Sequence, residues 1–222
     1  HLLRRQRQMC IRDRAEAEVE YKDIISSAVC VNFKILNTRN LSSYKSMNNE
    51  LDVFIPIWTT TPWTLPANRA VALSDTINYV VVKTENKYLI IAKSLVVRVM
   101  EKSGISDYEI LDDFKNDDFV DLELQHPFYD LTVPAITADH VTDENGTGAV
   151  HIAPGHGTDD YLAGIKNNLE VYNPVDDYGR FIEALPIFGG RKIRECNEDI
   201  VALLKKNAVS YTHLRAHETV LH

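Results

Sequence analysis

Hydrophobic and polar residues alternate with a period of two over much of the chain, which is the pattern of β-strands. The clearest case is the segment 28–35, where every second residue is Val, Phe or Ile, and this alternation predicts a half-buried strand. Similar patterns predict further strands over 52–58, 79–83, 87–92, 131–137 and 148–153. The polar residues 84–86 predict a short hairpin turn between two of these strands. The acidic segment 109–130 is poorly periodic and predicts only short strands.

Three segments instead have apolar residues at helical spacing. The first covers 93–101 and is expected to end near Gly104, and the last covers 197–206. The second is expected to begin at Thr158, which is a suitable N-cap. Its apolar residues share one face: Tyr161, Leu162, Ile165 and Leu169. Many short strands with three helices between them predict an α+β domain built on a curved or barrel-like mixed β-sheet with a few short helices.

The composition is that of an ordinary globular protein, with 45% hydrophobic and 25% charged residues among 222. No apolar run approaches the roughly 18 residues of a membrane span, so we expect a soluble protein without a membrane partner. The three cysteines, Cys10, Cys30 and Cys196, fit neither a disulfide framework nor a zinc cluster and favour a reducing compartment. The formal net charge of −8 does not favour binding of nucleic acid by the overall field.

The two ends of the chain differ from the rest in charge and in coding pattern. Residues 1–14 hold five arginines against one aspartate and residues 208–222 are neutral, which leaves −12 on the body. A basic N-terminus can be a transit peptide or an arm that binds nucleic acid. However, one DNA string and its reverse complement can encode 9–13 and 209–213, as a transposon adapter at both ends would. We therefore predict adapter-derived tails at both ends and a functional domain over 15–207.

A threonine-rich motif follows the second predicted strand: Trp-Thr-Thr-Thr-Pro-Trp-Thr-Leu-Pro-Ala-Asn-Arg at 58–69. Three threonines end the strand and Pro62 prevents its ladder from continuing, so hydroxyl and backbone N–H groups can face a pocket. Threonine is also common in strands for purely structural reasons. The two prolines and two tryptophans favour the functional interpretation, because they fix a specific backbone shape.

A glycine-rich motif joins the last predicted strand to the second helix: Gly-Thr-Gly-Ala-Val-His-Ile-Ala-Pro-Gly-His-Gly-Thr-Asp-Asp-Tyr at 146–161. This order places backbone donors and two carboxylates around one mouth. Asp159 and Asp160 belong to the first helical turn, where the helix dipole favours negative charge, so both can be structural. Since successive helical residues point about 100° apart, one aspartate can cap the helix while the other binds a cation in the pocket.

The histidines of the second motif leave other interpretations open. His151 and His156 with the two aspartates could form a hydrolytic metal site, because these residue types are metal ligands. Their spacing is not that of a known zinc signature, so no metal is predicted. His151 lies on a buried strand, where a histidine can equally be a structural core residue or a catalytic one.

Together the two motifs closely resemble the editing domain of isoleucyl-tRNA synthetases, the connective-peptide insertion of these class I enzymes. The resemblance extends over most of 15–207 and includes the segments 138–142 and 188–190. Leucyl and valyl relatives instead have Thr-Thr-Arg-Pro in the first motif, so Thr61 and Trp63 favour the isoleucyl branch. The His-Ile-Gly-His and Lys-Met-Ser-Lys-Ser signatures of the aminoacylation core are absent from the sequence. The resemblance therefore implies a domain that edits and does not charge tRNA.

The resemblance also implies roles for individual residues. Asp160 is expected to bind the α-ammonium group of the substrate, with Asp159 beside it as a helix-end partner. The hydroxyl and amide groups expected to hold the terminal adenosine, the carbonyl and the water belong to Thr59, Thr60 and Thr61. His151 is expected to limit the size of the amino-acid side chain. The positions expected to line the substrate site are Trp63, Thr64, Asn68, His151, His156 and Asp159.

The function implied by the resemblance is hydrolysis of valyl-tRNA(Ile), in which no protein general base is evident and the terminal ribose hydroxyl contributes. Editing is expected to need no cofactor, since ATP and zinc belong to other parts of the parent enzyme. The expected partners, in the cytoplasm, are the 3′ end of tRNA(Ile) carrying valine and the remainder of the synthetase chain. The alternatives are a catalytically silent tRNA-end binding module and a metal-dependent hydrolase using His151, His156 and Asp160.

Overall fold

One mixed β-sheet dominates the computed structural model, which describes residues 21–41, 47, 50–119, 121–207 and 210–221, with the backbone alone for 21–27, 40, 116–117 and 210–221. Its strands are β1 (Tyr21–Ile35), β2 (Val53–Thr59), β3 (Ala70–Leu73), β4 (Tyr79–Thr84), β5 (Tyr88–Ala92), β6 (Tyr108–Phe114), β7 (Glu123–Gln125), β8 (Thr132–Thr137), β9 (Val150–Ile152) and β10 (Ser210–Leu221). The order is β6-β4-β5-β2-β1-β7-β8-β3-β9, with β10 on β1. The predicted mixed sheet is confirmed, and in the described residues it is open at β6 and β9.

Most predicted strands lie where the alternation placed them, and β4 and β5 form the predicted antiparallel hairpin. The prediction that the segment 28–35 is half-buried is wrong, because side chains on both faces of this part of β1 are buried. Cys30 and Asn32, on the side expected to be exposed, are buried. A second layer covers that side, since Cys30 lines a small cavity together with Val99 and Ser103 of a helix.

The alternation missed β3, which pairs in parallel with β8 and antiparallel with β9. All four of its residues, 70–73, are apolar and fully buried, so they show no period of two. Such a short uniform run cannot be assigned to a strand by periodicity. This strand matters for the site because it directly follows the first motif and pairs with β9, the strand of the second motif.

The three predicted helices are present as α1 (Val96–Ser103), α2 (Thr158–Lys166) and α3 (Ile193–Lys206). A 3₁₀ turn over Lys93–Leu95 precedes α1. As predicted, α1 ends at Gly104, whose φ of 68° is the left-handed conformation that glycine adopts without strain. The helix α3 begins four residues earlier than its apolar spacing indicated.

Two predictions for α2 are wrong. Its N-cap is Gly157 and not Thr158, and no side chain caps the helix. The apolar face is turned outward, with 45%, 60% and 54% of Tyr161, Leu162 and Ile165 exposed, and Leu169 lies beyond the helix. The buried side consists of Ala163 and Gly164 instead. A Cβ on Gly164 would come within 3.0 Å of the Pro154 ring, so glycine permits close packing of α2 on the turn after β9.

Of the described residues, 27–214 form one compact unit, and 21–26 with 215–221 belong to a second one. The predicted tail 1–14 lies outside the described residues. The backbone of the other predicted tail is described over 210–221, and the adapter origin of both stays a prediction. Within the described part of the chain, no helix is long and apolar enough to cross a membrane.

Candidate active site

The threonine-rich motif folds into a strand end followed by a tight turn. Strand β2 ends at Thr59, and a 3₁₀ helix over Pro62–Ala67 begins with proline at its first position. The backbone N–H of Thr61 donates to the Thr59 hydroxyl at 3.1 Å. Thr59 is buried, Thr60 is half-buried and Thr61 is exposed, so solvent exposure increases along the three threonines.

The glycine-rich motif brings Asp160 back to the end of β9. Its Oδ2 accepts the N–H of Ala153 at 2.9 Å, and the residue is half-buried. Burial raises the pKa of this carboxyl group, while the Ala153 N–H and the nearby His140 oppose the rise. In the described part of the chain the second oxygen accepts no hydrogen bond. Asp160 therefore ties the helix to the end of the strand with one of its two oxygens.

Asp159 lies elsewhere. It is exposed and lines a cavity of about 180 Å³ together with His140, Leu162 and Lys166. Asp159 does lie in the first turn of α2, and its expected role as a helix-end partner stays a prediction. The side-chain hydrogen bond seen at this end of the helix is the one from Ala153 to Asp160.

The two motifs meet through a buried side-chain hydrogen bond, in addition to the backbone bond from Arg69 to Ile152. Nε2 of His151, on β9, lies 2.9 Å from the hydroxyl of Thr64 in the 3₁₀ turn. The same hydroxyl donates to the carbonyl oxygen of Thr61 at 2.9 Å. Beside this pair, the rings of Trp63 and His156 meet edge to face with centroids 5.1 Å apart. The structure thus brings the threonine turn and the histidines into one cluster.

Burial favours the neutral form of both histidines of this cluster. His151 is only 7% exposed, and its burial, helped by the neighbouring His126 and His156, lowers its pKa to about 4. Burial also lowers the pKa of His156. Nδ1 of His151 and Nε2 of His156 are buried without a hydrogen-bond partner in the described residues.

Asn68 makes a structural hydrogen bond. It is fully buried at the end of the 3₁₀ turn, and its Nδ2 donates to the carbonyl of Ala70 at 2.8 Å. Its Oδ1 has no partner among the described residues. The side chain therefore anchors the start of β3.

Sequence reasoning missed His126, which lies just after β7 and outside both motifs. It is 2% exposed, and its Nε2 is 3.0 Å from the carbonyl oxygen of Leu65 in the 3₁₀ turn. Burial lowers its pKa to about 4. An isolated histidine 61 residues away from its contact has no local pattern that could have indicated it.

The metal-dependent alternative finds no ligand set in the part of the chain that the structure describes. No three His, Cys, Asp or Glu side chains there are grouped so that they could hold an ion. His151 already uses Nε2 on Thr64, and Asp160 uses Oδ2 on Ala153. The three residues named for that alternative therefore do not converge.

The sequence is similar to known aminoacyl-tRNA synthetases. A family model described as the leucyl-tRNA synthetase editing domain matches residues 42–181. An isoleucine–tRNA ligase of Coxiella burnetii (strain Dugway 5J108-111) is 44% identical over 232 residues, covering 100% of this chain and 24% of that protein. The isoleucine–tRNA ligase of Vibrio campbellii is 44% identical over 211 residues, covering 91% and 22%. The chain therefore spans about a quarter of the length of these curated relatives.

Solved structures share the fold at low sequence identity. The editing domain of P. falciparum cytosolic leucyl-tRNA synthetase has a TM-score of 0.67 at 12% identity, covering 85% of this chain and 99% of that one. The corresponding domain of P. knowlesi has a TM-score of 0.64 at 13% identity, covering 87% and 97%. With the family match and the close isoleucine–tRNA ligases, this chain belongs to the editing domains of the aminoacyl-tRNA synthetases, in their isoleucyl branch.

Proposed function

We propose that this chain hydrolyses the ester bond of valyl-tRNA(Ile) as the editing domain of an isoleucyl-tRNA synthetase, and so supports the fidelity of translation. The observation that carries the proposal is the hydrogen bond between Thr64 and His151, because it joins the two motifs in one cluster. The 44% identity to isoleucine–tRNA ligases supports the isoleucyl branch.

The chemical need for such a site follows from the substrates. Valine is smaller than isoleucine by one methylene, so a pocket that accepts isoleucine cannot strongly reject valine, and isoleucyl-tRNA synthetase is itself the standard example of this limit. A second pocket that admits only the smaller side chain removes the error by hydrolysis. We assign the size limit to His151, which is buried and held in place by Thr64.

Asp160 binds the substrate's α-ammonium group in this proposal. A carboxylate and an ammonium group form a strong charge-assisted hydrogen bond, particularly where water is partly excluded. The half-buried Asp160 has one oxygen fixed by Ala153, which orients the other. The ammonium charge lowers the pKa of this carboxyl group and so opposes the effect of burial.

The reaction itself is attack of water on the ester carbonyl carbon. The new bond joins the water oxygen to that carbon, the bond to the ribose oxygen breaks, and this departing oxygen takes up a proton from the attacking water to become a hydroxyl group. The products are free valine and uncharged tRNA. We assign Thr59, Thr60 and Thr61 to the terminal adenosine, the carbonyl and the water, with a ribose hydroxyl assisting the attack. The protein then contributes orientation and electrostatic stabilisation.

The remaining predicted residues are assigned to the surroundings of this cluster. Trp63 and His156 pack on each other next to the Thr64–His151 pair, so we assign them to the wall of the substrate site. Asn68 and Asp159 are assigned to its margin, where Asn68 anchors β3 and Asp159 lines the cavity beside α2.

The wider setting is also proposed. The partners are the 3′ end of tRNA(Ile) carrying valine and the remaining parts of the synthetase, in the cytoplasm. Editing uses water and no cofactor, while ATP and zinc belong to other parts of the synthetase. The domain is proposed to cover 15–207, with adapter-derived tails at both ends.

Deacylation of two substrates in parallel tests the function. The purified chain is incubated with valyl-tRNA(Ile) and isoleucyl-tRNA(Ile), each with and without a chelator. We expect hydrolysis of the valyl ester alone, at the same rate in chelator. Equal hydrolysis of both esters, or of neither, contradicts the proposal, and binding without turnover would indicate the silent tRNA-end module. Loss of activity in chelator would indicate the metal-dependent hydrolase.

A further inference from the structure

We propose that His126 is a positioning residue of this site: a hydrogen bond from its Nε2 to the carbonyl of Leu65 fixes the 3₁₀ turn from which Thr64 sets the tautomer of His151. His126 belongs to neither motif. The inference deepens the proposed editing function and rests on it for its catalytic consequence. The geometry of the two histidines stands on hydrogen bonds within the described residues.

The tautomer of His126 follows from its three partners. The backbone N–H groups of Phe128 and Tyr129 both donate to Nδ1, at 3.3 and 3.1 Å, so this nitrogen carries no proton. The neutral ring therefore has its proton on Nε2, which donates to the Leu65 carbonyl at 3.0 Å. The ring also stacks on Tyr129, with centroids 4.9 Å apart, and meets Phe128 edge to face at 4.7 Å. Orientation and tautomer are both fixed.

The Leu65 carbonyl is a central point of the 3₁₀ turn over Pro62–Ala67. It also accepts the backbone N–H of Asn68 at 3.0 Å, which closes the end of the turn. Thr64 immediately precedes Leu65 in this turn, and its own N–H donates to Thr61. The bond from His126 therefore holds the peptide unit that joins Leu65 to Pro66, which begins one residue after Thr64 in the same turn. Loss of that bond removes the contact that ties this turn to the end of β7.

Thr64 in turn determines the tautomer of His151. Its hydroxyl has a single proton, and a carbonyl oxygen, that of Thr61, lies 2.9 Å away. With that proton given to Thr61, the hydroxyl accepts from Nε2–H of His151 and both protons have acceptors. In the other tautomer Nδ1–H would be a buried donor without a partner, which is the costlier defect. The comparison of donors and acceptors in the two tautomers therefore assigns the proton of His151 to Nε2.

The consequence concerns the shape and polarity of the wall that excludes isoleucine. With its proton on Nε2, His151 presents a bare acceptor at Nδ1, and the Thr64 contact prevents ring rotation. A displaced turn would release the ring, so that both its orientation and its tautomer could vary. Turnover and discrimination should then suffer, while the affinity for the tRNA end, which depends on other contacts, should change little.

Two variants separate the two sides of the His126 ring. In His126→Gln the amide nitrogen occupies the place of Nε2 and can still donate to Leu65, while the acceptor for Phe128 and Tyr129 is lost. In His126→Asn the amide oxygen occupies the place of Nδ1 and can still accept, while the donor to Leu65 is lost. Both remove the same ring, so they are matched controls for lost packing.

We expect His126→Asn to lower kcat for valyl-tRNA(Ile) deacylation about 10-fold or more at nearly constant KM, and His126→Gln to remain within about 3-fold of the wild type. The ratio of valyl to isoleucyl hydrolysis should fall only in His126→Asn. Equal losses in the two variants, or a wild-type rate in His126→Asn, would overturn the positioning role.

A ¹⁵N NMR measurement of the histidine tautomers tests the geometry independently of activity, even if a His126 variant fails to fold. In the wild type both His126 and His151 should show protonated Nε2 and bare Nδ1. Thr64→Val should leave His126 unchanged and give His151 mixed tautomers. A protonated Nδ1 at either histidine in the wild type overturns the inference. If the tautomers are as expected and the wild type hydrolyses neither ester, the editing function fails and the His126–Thr64–His151 geometry stands.

Discussion

At the scale of single residues, Asp160 combines two tasks that a conservative variant can separate. Asp160→Asn keeps an oxygen that can accept the Ala153 N–H but removes the negative charge. We expect deacylation of valyl-tRNA(Ile) to fall by about 100-fold or more, because the ammonium group loses its counter-charge. The Tm should stay near that of the wild type. Steady-state deacylation and thermal unfolding measure the two effects.

Asp177→Asn is the matched control for this variant, because Asp177 is exposed and lies in neither motif. It should change neither rate nor Tm. An unaltered deacylation rate in Asp160→Asn would show that the carboxylate is not the ammonium partner. A large fall in Tm would show instead that the charge stabilises the fold.

His151→Ala tests the size limit. The substitution opens space next to Thr64, so isoleucyl-tRNA(Ile) should become a substrate while valyl-tRNA(Ile) is still hydrolysed. The cavity should also lower the free energy of unfolding by about 2–4 kcal/mol, since His151 is buried. Deacylation of both esters at a temperature well below the Tm provides the measurement. Continued protection of the isoleucyl ester would exclude His151 as the size-limiting residue.

At the scale of elements, the position of α2 depends on Gly164. A Cβ there would approach the Pro154 ring to 3.0 Å or less. Gly164→Ala should therefore lower the free energy of unfolding by about 1–3 kcal/mol, although alanine is the better helix former by roughly 1 kcal/mol. Because α2 carries Asp160, deacylation should fall as well. Urea unfolding and the deacylation assay report the two changes.

Leu162→Ala on the opposite side of the same helix is the control. Leu162 is mostly exposed, so its truncation should cost less than about 0.5 kcal/mol. If Leu162→Ala destabilises the chain more than Gly164→Ala does, the helix packs through the apolar face that its sequence indicated, and the described orientation is wrong.

The elements also show how much of the secondary structure and its burial could be predicted from the sequence. Alternation located β4 and β5 because their residues are consecutive and their turn is short. It failed at β3, whose neighbours β8 and β9 come far later in the chain. Helical spacing likewise did not show that the apolar face of α2 is exposed, because spacing shows that apolar residues share a face but not whether another layer covers it. Contacts between distant segments decide both matters.

The candidate site likewise contains residues that could be predicted from the sequence and residues that could not. The threonines and Asp160 could be named from the sequence, because a strand end stopped by proline and a carboxylate at a helix start are local features. The partner of Thr64 could not, since His151 lies 87 residues away. His126 belongs to no motif and acts on a backbone carbonyl, which carries no residue-type signal at all.

At the scale of the whole molecule, the net charge of −8 bears on how the substrate is held. An acidic domain gains little from the general attraction between basic proteins and the phosphate backbone. The chain is about a quarter as long as its relatives, so the remainder of the synthetase is the proposed source of the affinity for tRNA. The editing domain then needs to recognise only the aminoacylated end.

The stability of the whole chain should depend on pH through its buried histidines. Burial lowers the pKa of both His126 and His151 to about 4, with Arg69 acting on the first and His126 and His156 on the second. Below pH 6.5 the two histidines become protonated in the unfolded chain, whereas in the folded chain they stay neutral until about pH 4. The contribution of the two histidines to the free energy of unfolding is therefore fully present above pH 6.5 and is lost as pH falls towards 4. Each histidine can contribute on the order of 3 kcal/mol.

His126→Gln isolates one of these two contributions, because glutamine does not titrate. Asp160, whose pKa is raised by burial, gains stability in acid and so opposes the histidines, which makes the variant comparison necessary. Urea unfolding at pH 7.5, 6 and 5 should show a steeper loss of stability in the wild type than in His126→Gln. Parallel curves would mean that His126 is protonated equally in both states, and that its ring is more hydrated than its contacts with Leu65, Phe128 and Tyr129 allow.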